Sequence, residues 1–160
     1  MKTGAQLIQE ERERQISAEG WTPEHDAEHE NGDMISAAIG YLIFAWWKIV
    51  GKACGWTRSM VDQIIGEQWW PWDSTWWKPS EEDQIRNLVK AGALIAAEVD
   101  RLQREAWIGE VAQCLAEKHG DKEPNENLKI WARSHAVNFY DESPGDYTPK
   151  EAVDEELSNF

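Results

Sequence analysis

A chain of 160 residues with 41% hydrophobic and 29% charged residues has the composition of an ordinary globular domain, which excludes a wholly disordered or collagen-like polymer. The formal charge of -14 and the pI near 4.6 set the average surface against a phosphate backbone, so direct nucleic-acid binding is not expected. The two cysteines, Cys54 and Cys114, are too far apart for a zinc-type spacing and too few for a disulfide framework, and they point to a cytoplasmic setting. Eleven tryptophans are the anomaly.

The start of the chain reads as a first helix, capped by Thr3 with Gln6 three residues on and closed before Gly20, not as an apolar secretory leader. Thr22 followed by Pro23 and Glu24 repeats the helix-start signal and predicts a short helical turn carrying His25, Asp26 and His29. Asn31-Gly32 supplies a turn, after which Asp33 is expected to cap an apolar helix over 34–50. The fourteen uncharged residues from Met34 to Trp47 fall short of the roughly 20 needed to span a bilayer, so a core helix is expected and no membrane partner.

A shorter helix over 58–65 should turn Met60, Val61, Ile64 and Ile65 inward. The segment QWWPWDSTWWKPS follows, and its two prolines and crowded rings predict a packed loop over 68–79. Ser80 is the expected cap of the clearest helix, in which Ile85, Val89, Gly92, Ile95, Val99 and Leu102 recur at steps that predict the inner face. Gly92 with the neighbouring alanines offers a close-contact face for the 34–50 helix or for a second copy, so a homo-oligomer is a possible arrangement. Further apolar periodicity to Gly120, a helix opened by Pro124, and a capping box at Thr148 with Glu151 complete a three-helix C-terminal module. The expectation is an all-α protein: a compact helical bundle with a Trp-rich loop over 1–105, and a small module over 106–160.

Three blocks, ERERQISAEGWTPEHDAEHENGD, WPWDSTWWKP and IRNLVKAGALIAAEVDRLQR, together resemble a family of accessory proteins from tailed bacteriophages and prophages. They cover most of residues 1–104, and the tail DYTPKEAVDEELSNF is similar to a second module recurring in phage accessory proteins. The resemblance implies a product acting in the host cytoplasm, plausibly against a host defence.

The chemistry-bearing groups divide into three sets. Indole faces stack on nucleobases, so Trp72, Trp76 and Trp77, with Lys78, Arg86 and Lys90 as a phosphate-binding edge, are the candidate ligand-binding residues. His25 and His29, four apart with Asp26 between them, are a weaker metal alternative, because the zinc-protease pattern requires glutamate directly after its first histidine. The E-x-x-E pair Glu10 and Glu13 and the E-x-x-D pair Glu30 and Asp33 are similar to the magnesium-binding carboxylates of all-helical nucleotide pyrophosphohydrolases related to MazG and dimeric dUTPase, although Gly32 interrupts the second pair. No catalytic set is complete and no cofactor is expected outside that magnesium alternative. The leading expectation is a binding protein for a nucleotide-type small molecule or a host protein; the alternatives are the pyrophosphohydrolase and an acidic mimic of DNA.

Overall fold

The computed structural model describes residues 1–141 and 145–158, and among these the protein is all-α, with seven α-helices and no strand. The chain divides into two compact units, Met1–Val99 and Asp100–Phe160. Residues 142–144 and 159–160 of the expected 106–160 module lie outside the described residues.

In the first unit, α1 (Gly4–Arg14) starts on the expected capping box: Thr3 accepts from the Gln6 N–H at 3.3 Å while Gln6 returns a bond to the Thr3 N–H at 2.8 Å. The helix widens into a π turn (Gln15–Glu19) and ends at Gly20. α2 (Pro23–Ala27) is capped by Thr22. α3 (Asp33–Ile49) begins after Gly32, whose φ of 75° is a left-handed value that glycine adopts without a Cβ clash. Asp33 is therefore the first helical residue and not the cap, and its carboxylate instead pairs with His29 at 3.0 Å.

α4 (Arg58–Ile64) runs into a second π turn (Ile65–Trp69). Val61 and Ile65 are buried and Ile64 is half-buried, but Met60 is exposed, because the short helix rests on α3 by one edge alone. The aromatic loop that follows has a single 3-10 turn (Ser74–Trp76) and is otherwise irregular. Its rings Trp70, Trp72 and Trp77 pack against the buried cluster of Met34, Ala37, Ala38 and Tyr41 from α3 with Ala91, Leu94 and Ala97 from α5 (Gln84–His119). α5 supplies residues 84–99 to this unit, and α3 and α5 run antiparallel there: Met34 shares a cavity wall with Leu94 and Ala97, while Lys48 at the other end of α3 lies 3.3 Å from Glu81.

Two expectations about α5 are corrected. Asp83 caps it, accepting from the Arg86 N–H at 3.0 Å, whereas Ser80 is tied by its backbone N–H and C=O to the Asn87 side chain at 2.7 and 2.8 Å. Ile85, Ile95, Val99 and Leu102 are exposed, and the buried face is Asn87, Ala91, Ala93, Leu94 and Ala97. The physical reason is close approach. α1 packs on α5 so tightly at Gly92 that a methyl group there would come within 2.6 Å of Ile8 Cδ1, and only small residues fit such an interface.

The second unit packs Trp107, Ile108, Val111, Ala112 and Leu115 against Ala132 and Ala136 of α6 (Glu126–Ala136) and Ala152 and Val153 of α7 (Pro149–Ser158). Asn125, one residue past the expected Pro124, caps α6, and the Thr148–Glu151 capping box forms. Arg104 grips Asp141 through two nitrogens at 2.9 and 2.8 Å, a planar forked pairing that suits a buried site.

Candidate functional site

The first unit holds a cavity of about 310 Å³ lined by Trp21, His25, Asp26, His29, Met34, Trp72, Asp73, Trp76, Leu94 and Ala97. That volume lies at the lower end of the range for small-molecule sites, which run from roughly 300 to 1,000 Å³ and are mainly apolar with a few placed polar groups. The walls fit that description. Trp21 and Trp72 stand with ring centroids 6.0 Å apart and tilted by 46°, His29 meets Trp72 edge-on at 5.4 Å, and His25 lies parallel to Trp21 at 6.5 Å.

Each wall has a local cause. Trp21 follows the left-handed Gly20 that turns the chain from the first π turn towards α2, and its carbonyl accepts from Arg12 Nη1 at 3.1 Å. The same guanidinium is ion-paired with Asp26 of α2, both side chains being almost fully buried, so one cation fastens α1 to two walls of the cavity. Burial of Asp26 raises its pKa, and the field and hydrogen bond of Arg12 only partly oppose that rise. Trp72 and Trp76 come from the aromatic loop, where Asp73 folds the chain by accepting from the Thr75 N–H at 2.8 Å and the Trp70 indole donates to the Asp73 carbonyl at 3.1 Å.

A second, smaller cavity of about 50 Å³ shares Trp21, Trp72, Trp76 and Leu94 with the first and has more charged side chains in its lining. Its lining includes Arg14, Lys78 and Lys90 together with Glu11, Glu19, Gln15 and Tyr41. Lys90 Nζ donates to the Lys78 carbonyl at 2.6 Å and stands 5.3 Å from the centre of the Tyr41 ring, and burial holds its pKa below the ordinary lysine value. Burial also pushes the Tyr41 phenol up to about 12, which keeps it a neutral donor. For Glu11, burial opposes ionisation, but the bonds from Arg14 at 2.8 and 2.9 Å and the surrounding cations Arg14, Arg86 and Lys90 outweigh it, so its pKa is lowered. Two buried polar atoms at these walls have no hydrogen-bond partner among the described residues: the Trp72 indole N–H and Gln15 Oε1. An unpaired buried donor and an unpaired buried acceptor each carry a desolvation cost of about 1–3 kcal/mol.

Of the six residues read from the sequence as ligand-binding, Trp72 and Trp76 line both cavities, and Lys78 and Lys90 line the smaller one. Trp76 is half exposed, with Lys78 Nζ 4.9 Å above its ring. Trp77 lines neither, being packed on Tyr41 at 4.8 Å and Phe44 at 6.0 Å, and Arg86 acts on the site only through its charge. His25, Asp26 and His29 stand together on the larger wall, the two imidazole centroids 5.0 Å apart. Three of the four carboxylates of the magnesium alternative have separate partners, Glu10 binding Lys2, Glu13 accepting from Gln9 and Asp33 meeting His29, and the fourth, Glu30, is exposed. Among the described residues no group of three or more His, Cys, Asp or Glu side chains is placed to hold a metal ion. Trp21, Gln15 and Arg14 were not read from the sequence as site residues, and Arg14, whose spacing suits a pair with Glu10, binds Glu11 and Glu19 instead. A lone tryptophan before a helix cap carries no signal of its own, and Gln15 and Arg14 sit in a run of polar residues.

Among the described residues no helix is long and apolar enough to cross a membrane. Compared with known proteins, the chain matches no family model, no curated protein and no solved structure. The class defined by fold and site is thus an all-α chain with an aromatic-walled cavity and, sharing four of its wall residues, a small cavity lined by charged side chains, and function has to be argued from that geometry.

Proposed function

We propose that the first unit binds one nucleotide-type small molecule, with its base between the indoles of the larger cavity and its phosphate towards Arg14, Lys78 and Lys90. The observation that carries this reading is the pairing of the two cavities: an apolar chamber with ring faces from Trp21, Trp72 and Trp76 shares those residues with a smaller cavity that has three cations in its lining. Stacking on such faces contributes about 1–3 kcal/mol per base and suits any base. Glu11 and Glu19 offset part of the positive charge, which favours a singly or doubly charged phosphate over a triphosphate. The volume suits a mononucleotide better than a dinucleotide.

The role is sequestration, not turnover. The resemblance of three sequence blocks to phage accessory proteins supports a phage product that withdraws a host nucleotide signal. Calorimetry with nucleoside monophosphates, cyclic nucleotides and ADP-ribose, beside native mass spectrometry of protein purified from cells, tests it. A bound or copurified nucleotide is expected. Replacement Trp76→Ala, at a ring that is 51% exposed and so not needed for packing, should weaken that binding about tenfold or more without shifting the melting temperature. An entire panel without binding, or full affinity in Trp76→Ala, contradicts the proposal.

A further inference from the structure

α3 is apolar on every side between Met34 and Trp47, a pattern proper to a helix that is surrounded. Within this chain it is covered on only part of its circumference. Ile35, Leu42, Trp46 and Ile49, at steps of seven, four and three residues, form an exposed stripe along it. On α5 the exposed residues Ile85, Leu88, Ile95 and Val99, at steps of three, seven and four, form another. Steps of three, four and seven are those of a helix-pairing seam.

The order of neighbours around each helix puts the two stripes side by side. Around α3 the aromatic loop lies against Gly40, α5 against Ala38 and Met34, and the exposed stripe comes next in the same sense of rotation. Around α5 the loop and α2 lie against Leu94, α3 against Ala91, the stripe follows, and α1 borders it where Ile8 meets Gly92. Since the aromatic loop covers one side of this antiparallel pair, both stripes open on the opposite side and form one surface. None of the eight residues is charged, in a chain with thirty acidic and sixteen basic residues. Their exposed area comes to on the order of 700 Å², close to the roughly 800 Å² that each partner contributes to a standard interface and above what a monomer ordinarily leaves open.

We infer that this surface is a two-fold interface with a second copy of the same chain. A two-fold rotation lays the α3–α5 face of one copy on that of another, with α1 at its border and the seam spacings of each pair meeting their own equivalents. The alanine and glycine face first suggested by the sequence is unavailable for this, since Ala91, Ala93 and Ala97 are buried within the chain.

Sedimentation equilibrium of the full chain, with circular dichroism on the same samples, tests the inference. A dimer is expected, and Leu42→Glu or Ile95→Glu should raise its dissociation constant about a hundredfold or more while helical content is retained. If either variant loses helix, Ile49→Glu and Ile85→Lys, at the two most exposed stripe positions, take its place. A monomer at every attainable concentration overturns the inference, as does a dimer that survives charge on both helices, or a stable complex with a different protein in place of self-association.

Discussion

Arg12 is the residue on which the cavity depends, because its guanidinium reaches both the Trp21 carbonyl and the buried Asp26 carboxylate. Losing either member of such a pair leaves an uncompensated charge in the interior and costs about 3–5 kcal/mol. Glu11, one residue away, gives a pH test. Its pKa is lowered in the folded chain, so the unfolded state binds its proton more tightly, and the stability it contributes is present above the ordinary value of 4.5 and lost as pH falls through the folded value. Glu11→Gln should therefore melt below the wild type at neutral pH, and the gap should close in acid. A gap that stays constant or widens in acid would show that Arg14 does not hold Glu11 ionised.

At the scale of elements, helix existence was legible in the sequence and helix orientation was less so. The capping boxes at Thr3 and Thr148 and the cap at Thr22 form because they are local chemistry, set by residues three apart. The face of α5 was misjudged because the apolar period marks every face able to be buried, including one left for another surface; the small residues Ala91, Ala93 and Ala97 marked the internal contact. Gly92 is the sharpest case. Alanine there gains about 1 kcal/mol of helix propensity but places a methyl 2.6 Å from Ile8 Cδ1. We expect Gly92→Ala to lower the melting temperature by displacing α1, and the smaller Ile8→Val side chain to recover part of the loss when the two are combined. A stabilised single variant would mean that α1 yields without cost.

For the molecule as a whole, the aromatic loop was read from the sequence as a packing device whose value rests on which rings remain uncovered, and the structure separates them. Trp70 and Trp77 close the loop on Tyr41, Trp72 and Trp76 face the cavities, and Trp21 joins them from a segment fifty residues away, a juxtaposition that only the tertiary fold creates. The eleven indoles also make the central claim directly measurable. In a nitrogen-proton correlation spectrum with assigned indole N–H signals, titration with the nucleotides of the calorimetric panel should move Trp21, Trp72 and Trp76 and leave Trp107 and Trp131 of the second unit in place. A titration that moves none of the three, or that moves only indoles away from the cavity, would contradict the account.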